Sequence, residues 1–186
     1  MEQSSPYKQA LMVQLREAYG RIVYSYTTHL KMMERLIRKN RKIKYVQIGL
    51  SAISAGGFIG AVITNEATLT CIGGIFSTIL LGINLFFKDF NLHAEIDQHR
   101  TASNDLWLIR ERYISLLTDF DILEEDEIKA KRESLQIETF ETYKVSPKTD
   151  SKSYLATQRS LKTEEEQFFT SGELDRILPE HLRKSY

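Results

Sequence analysis

Two apolar runs, residues 45–63 and 67–87, constrain this chain more than any other feature. Neither contains a Lys, Arg, Asp, Glu or His, and only Thr64, Asn65 and Glu66 separate them. A helix crosses the hydrocarbon core of a bilayer with about 20 predominantly apolar residues, and each run has that length. A core helix of a soluble protein keeps a polar face and seldom carries so long an uncharged stretch. The two runs therefore read as a transmembrane helical hairpin.

The second run is the stronger. It carries Leu69, Ile72, Ile75, Phe76, Ile79, Leu80, Leu81, Ile83, Leu85, Phe86 and Phe87. At roughly −0.3 to −0.6 kcal/mol each near the bilayer centre, these favour insertion by a few kcal/mol. The first run is diluted by Gly49, Gly56, Gly57, Gly60, Ser51, Ser54 and Gln47, so it is expected to insert with its partner rather than alone.

Charge sets the expected orientation. Arg35, Arg38, Lys39, Arg41, Lys42 and Lys44 crowd the stretch before the first run, with no acid among them. Basic flanks stay on the cytoplasmic side, and the short turn sends the chain straight back, so both termini are expected in the cytoplasm. Beside an apolar span, a basic run is an interfacial anchor more readily than a nucleic-acid contact. The whole chain balances 25 basic against 25 acidic residues, which argues against nucleic-acid binding from bulk charge. The N-terminal residues are mixed and polar, without the apolar core of a signal peptide. The run from residue 45 would serve as the internal signal anchor. The single cysteine, Cys71, rules out an internal disulfide, and in lipid its thiol would be inert.

The flanks read as amphipathic helices. Leu11, Leu15, Ala18, Ile22, Tyr26, Leu30, Met33 and Ile37 recur every three or four residues. After the hairpin, Leu92, Ile96, Ala102, Leu106, Ile109, Tyr113, Ile114 and Leu117 do the same, with Trp107 adding a large ring. The hairpin returns the chain to its starting side, so these two helices are expected to pack antiparallel beneath the membrane. Further copies of the chain would complete the small core. Residues 124–127 form an acidic first turn of a helix over 128–143. Ser146-Pro147 is a breaker, and 147–153 reads as a linker. Thr163-Glu164-Glu165-Glu166 fits a capping box opening a short helix, and Ser171-Gly172-Glu173 another that ends before Pro179. The expected divisions are 1–44, an amphipathic cytoplasmic helix; 45–87, the hairpin; 88–145, a cytoplasmic helical region; and 146–186, a polar helical tail. The fold class is an all-α, oligomeric membrane protein.

Helical geometry separates faces within each span. Ala52, Gly56 and Gly60 follow at four-residue intervals and allow another helix to approach closely; Gln47, Ser51 and Ser54 fall opposite. In the second span Thr70, Ser77 and Asn84 are seven apart, and Asn91 continues the series. A seven-residue step returns a helix to within about 20° of its start, so these residues form one polar seam. A polar seam in lipid must face another helix or water. It is either an interhelical hydrogen-bonding strip or the lining of a pore built from several copies.

Catalytic signatures are missing. The sequence has no P-loop, no G-x-S-x-G, no H-E-x-x-H and no cysteine pair. Gly56-Gly57-Phe58-Ile59-Gly60 lacks the spacing of a dinucleotide loop. His29, His93, His99 and His181 are scattered without a carboxylate pair. No enzyme activity, cofactor or metal site is expected.

The order of elements then matters. Ala18-Tyr19-Gly20-Arg21-Ile22-Val23-Tyr24-Ser25 precedes the basic stretch and glycine-rich hairpin. Leu106-Trp107-Leu108-Ile109-Arg110-Glu111-Arg112-Tyr113-Ile114-Ser115-Leu116-Leu117-Thr118-Asp119 follows it, and Leu178-Pro179-Glu180-His181-Leu182-Arg183 lies near the end. This pattern resembles the SLATT family, the SMODS and SLOG-associating two-transmembrane effector domains of bacterial conflict systems. The resemblance covers nearly the whole chain and rests on helix-packing patterns. It implies an antiviral-defence effector of the bacterial inner membrane that forms pores when a separate sensor signals infection, causing growth arrest or cell death. The partner it implies is a nucleotide second-messenger synthase, a SLOG sensor or a reverse transcriptase. It assigns no ligand-binding residue. The alternative is a non-conducting membrane anchor or scaffold that recruits a cytoplasmic partner.

Overall fold

The computed structural model describes residues 5–89, 91–167, 169–170, 172–179 and 183. Within these it is helical throughout, with no strand.

Helix α1 spans Pro6–Thr64. Its start is locally encoded: the Ser5 hydroxyl accepts from the Lys8 N–H at 3.0 Å, and Pro6 occupies the first turn. No proline interrupts it, so the amphipathic segment and the first apolar run form one rod of 59 residues, about 90 Å long at 1.5 Å per residue. It stops at Asn65, which takes the left-handed conformation (φ 56°) that ends helices. After Glu66 the chain reverses into α2, Ala67–Asp89, antiparallel to the second half of α1.

Asn91 then caps α3, Leu92–Thr118, its side chain accepting from the Ala94 N–H at 3.0 Å. Asn91 thus starts a new helix; it does not extend the Thr70/Ser77/Asn84 seam, because α2 has already ended. Helix α3 packs antiparallel along the first half of α1. Leu11, Leu15 and Ile22 meet Leu106, Ile109, Tyr113 and Leu116 in one cluster, and Met32 and Leu36 meet Leu92 and Ile96 in a second, nearer the hairpin. Trp107 does not join this core; it is half-exposed.

Helix α4, Glu125–Val145, folds back along α3 and contributes Ile128 and Leu135 to the larger cluster. Its acidic first turn is solvated and paired with Lys129. Helix α5, Ser151–Thr163, lies on α1. Asp150 caps it by accepting from the Ser153 N–H at 2.8 Å, so the linker shortens to residues 146–150. Thr163-Glu164-Glu165-Glu166 ends a helix instead of opening one. Glu164 is the C-cap of α5 and Glu165 is left-handed (φ 51°). A capping box needs a helix on its C-terminal side, and here the helix lies on the other. Helix α6, Glu173–Ile177, is the short helix expected before Pro179. Ser171, residues 1–4 and 180–182 of the Leu178–Arg183 motif lie outside the described residues.

The two halves of the molecule follow opposite rules of burial. The bundle hides its apolar stripes. In the hairpin, Ile48, Val62, Ile63, Ile75, Leu81 and Phe86 point outward, Val62 at 85 % exposure. An apolar helix in a soluble core would be mostly covered; here about 6 % of each most apolar window is.

Candidate functional site

The site begins with how α1 meets α2. Gly57 and Gly73 set the distance between the helices. A Cβ built on Gly57 would sit 3.0 Å from the Gly73 Cα, and one on Gly73 would sit 3.1 Å from the Ser54 carbonyl oxygen. Both contacts are with backbone, so only glycine lets the helices come this close. The Ser54 hydroxyl donates to the Gly73 carbonyl at 3.1 Å, and Gln47 Nε2 donates to Asn84 Oδ1 at 2.8 Å.

The face used inside the chain is therefore the one carrying Gln47, Ser54 and Gly57. Gly60 borders it, its hypothetical Cβ 3.2 Å from the Leu69 side chain. Ala52 and Gly56 point away from α2, and a Cβ on Gly56 would meet nothing within 4 Å. Periodicity placed Ala52, Gly56 and Gly60 on one side of the helix, but it does not say which side the partner strikes. Gly57 and Gly73 were missed as a pair because their register depends on the turn at 64–66.

On α2, Leu69, Gly73, Phe76, Leu80 and Ile83 turn at least partly inward, and the polar seam runs alongside them. Asn84 is satisfied by Gln47. Thr70 and Ser77 are exposed, and their hydroxyls have no partner among the described residues. Thr64 and Thr78 differ: each hydroxyl donates to the carbonyl four residues back, at 2.8 and 2.9 Å. The hairpin thus carries polar groups without a partner among the described residues on a mostly apolar exterior.

At its mouth lies the basic collar. Arg38 pairs with Glu34 at 3.4 Å. Lys39, Arg41, Lys42 and Lys44 have no carboxylate partner among the described residues, nor has Lys88 on the return helix.

A second polar feature sits inside the bundle. Between the two apolar clusters, Thr27, Thr28 and His29 of α1, His99 and Ser103 of α3, and Ser153, Thr157 and Ser160 of α5 are all buried. His29 and His99 face each other with Nδ1 atoms 2.9 Å apart. One must donate and the other accept, so both rings are neutral with opposite tautomers, or they share one extra proton. Burial pushes His29 down to about 4, and the neighbouring His99 pushes it further the same way. Burial also lowers His99, opposed by the charges of Glu95 and Asp150. Over this belt α5 is fastened by ion pairs of Arg35 with Asp150 and of Lys31 with Glu166, and by the Ser153 hydroxyl donating to Met32 Sδ at 3.3 Å. Desolvation alone would raise Asp150, but bonds from Ser153 and Arg35 outweigh it and hold it below the usual carboxylate range. Sequence reading left these histidines scattered, since seventy residues separate them. Asn40 and His93 form a smaller pair, Nδ2 to Nε2, at 3.3 Å. Among the described residues, no three His, Cys, Asp or Glu side chains gather as a metal site.

A long helix turning back on itself as an outward-facing apolar hairpin, with a polar helical bundle at its open end, gives two helices long and apolar enough to cross a membrane, joined to a soluble-type head. The profile of SMODS and SLOG-associating 2TM effector domain family 4 matches residues 11–173. The chain belongs to this SLATT family, and it is accordingly a membrane effector of the defence-system class. No curated protein and no solved structure matches it.

Proposed function

We propose that the chain assembles in the inner membrane of a bacterium, both termini cytoplasmic, and permeabilises it when a partner sensor signals. It acts by opening a path for ions, with no catalysis and no cofactor. One observation carries this reading: Thr70 and Ser77 are exposed on the apolar hairpin with no partner among the described residues. In lipid such groups cost free energy unless another helix or water meets them. Several copies arranged about an axis would bring the Thr70/Ser77 strips together, packed at rest and wetted when open. Ala52 and Gly56, facing away from α2, are free to take the flank of a neighbouring copy. A trigger that binds the bundle can open such an assembly only through unequal affinity for the two states. The partners in view are a nucleotide second-messenger synthase, a SLOG sensor or a reverse transcriptase.

The test is over-expression, which drives assembly by mass action without the trigger, in bacteria carrying a membrane-potential dye. Wild type is expected to depolarise the cells, and T70L/S77L to remain in the membrane fraction without depolarising them. Undiminished depolarisation by the variant would remove the strip as a lumen. A second reading, a non-conducting anchor, draws on Leu108, Ile137 and Phe140, which are more than half exposed on the bundle and could seat a partner. It predicts membrane binding with no depolarisation by wild type.

A further inference from the structure

Where α1 enters the apolar hairpin and α2 hands over to α3, the chain forms a cleft of about 240 Å³. Its polar wall is made by Asn40, Lys44, Gln47, Lys88, Asn91 and His93; the rest of the lining is apolar. Among the described residues no acid lines it, and neither lysine has a carboxylate partner. Lys44 is the last charge before the first apolar run and Lys88 the first charge after the second. With 45–87 in a bilayer, both lysines lie at headgroup depth and line the one cleft. The Asn40–His93 contact at 3.3 Å and the Gln47–Asn84 bond at 2.8 Å fix further polar side chains at the same level.

This combination selects a ligand. Two cations with no carboxylate partner among the described residues call for an anion. The apolar side chains call for a ligand that continues into hydrocarbon. The volume lies below the roughly 300–1,000 Å³ of small-molecule pockets, so a headgroup fragment fits better than a nucleotide. Cationic pockets between helices on the cytoplasmic face of a membrane are where acidic headgroups settle. We propose that this cleft binds the phosphate of an anionic phospholipid, with Lys44 and Lys88 as its cationic contacts.

The proposal rests on the bilayer reading of 45–87 and adds a specific site to it. Lys39 and Lys42 lie outside the cleft and contribute only general attraction to an acidic surface. A headgroup held here touches α1, α2 and α3 at once, beside the bond from Gln47 to the seam residue Asn84. Lipid composition would thereby act on the joint between hairpin and bundle.

The full chain is reconstituted into phosphatidylcholine nanodiscs containing a minor fraction of phosphatidylglycerol, and retained lipid is read by native mass spectrometry. Wild type is expected to keep phosphatidylglycerol. K44Q/K88Q should weaken retention by about fivefold per lysine, roughly 25-fold for the pair. K39Q/K42Q removes the same charge and should keep the lipid. Equal losses in the two variants would overturn the cleft in favour of a diffuse collar. Displacement of the lipid by millimolar inorganic phosphate, in detergent micelles, would overturn it in favour of a soluble-anion site. Incorporation without retained phosphatidylglycerol would refute the cleft alone. A chain that failed to enter nanodiscs would refute the bilayer reading with it.

Discussion

Adding one methyl group to Gly57 should part the hairpin. The new Cβ would lie 3.0 Å from the Gly73 Cα, 3.1 Å from its nitrogen and 3.2 Å from the Leu69 carbonyl oxygen. All three are backbone atoms of α2, so no side chain can rotate out of the way. Carbon atoms rest at about 3.5–4.0 Å, so the helices must separate by about 0.5–1 Å. That stretches the bond from Ser54 to the Gly73 carbonyl, 3.1 Å in the native hairpin, past the limit of a hydrogen bond. Overpacking costs about 1–3 kcal/mol, and a lost interhelical bond about 0.6 kcal/mol. G57A should therefore weaken the α1–α2 contact by about 1.5–3.5 kcal/mol. Steric trapping of the full chain in micelles, with tags at the two ends of the hairpin, measures this directly. G56A is the control, because its Cβ meets nothing within 4 Å. It should leave hairpin stability unchanged and act, if at all, on assembly between copies. Equal losses in G56A and G57A would refute the argument that Gly57 sets the approach.

Other expectations concern the bundle and the strip. The unfolded chain titrates His29 near 6.5 and the native state near 4, so between these values the native state binds fewer protons. Stability should fall as pH drops from about 6.5 towards 4, by about 3 kcal/mol when complete. H29Q should flatten that fall in thermal midpoints taken in detergent; an equally steep fall would clear the histidine pair. D150A removes both the α5 cap and the partner of Arg35, and should cost about 1–2 kcal/mol locally. Amide exchange across 151–163 would then quicken about 5- to 30-fold with α2 unaffected, and unchanged protection of α5 would contradict this. The loss of depolarisation in T70L/S77L, and the lipid loss in K44Q/K88Q against K39Q/K42Q, complete the set.

Much of the architecture could be read from one-dimensional pattern. The uncharged runs at 45–63 and 67–87, the turn between them and the stripes at Leu11–Ile37 and Leu92–Leu117 depend only on local composition and period. The runs and stripes are helices where expected, and the chain turns at Asn65 and Glu66. Helix α5 was read as part linker because thirteen mostly polar residues carry little periodic signal. Its burial comes from Ser153, Thr157 and Ser160 lying against α1, a relation no window of sequence contains. Trp107 shows the converse: its size suggested a core role, yet its place on the face of α3 leaves it half in solvent.

What the amino-acid order decided alone is which stretches are helical and which of them are too apolar for water, since both follow from neighbours along the chain. Tertiary structure decided which faces meet. It placed Gly57 against Gly73, set His29 beside His99, and left Thr70 and Ser77 outside with no partner among the described residues. The physical reason is register. The turn at residues 64–66 and the break before Asn91 set how α2 and α3 slide and rotate against α1, and a few ångströms of slide choose among faces that periodicity leaves equivalent.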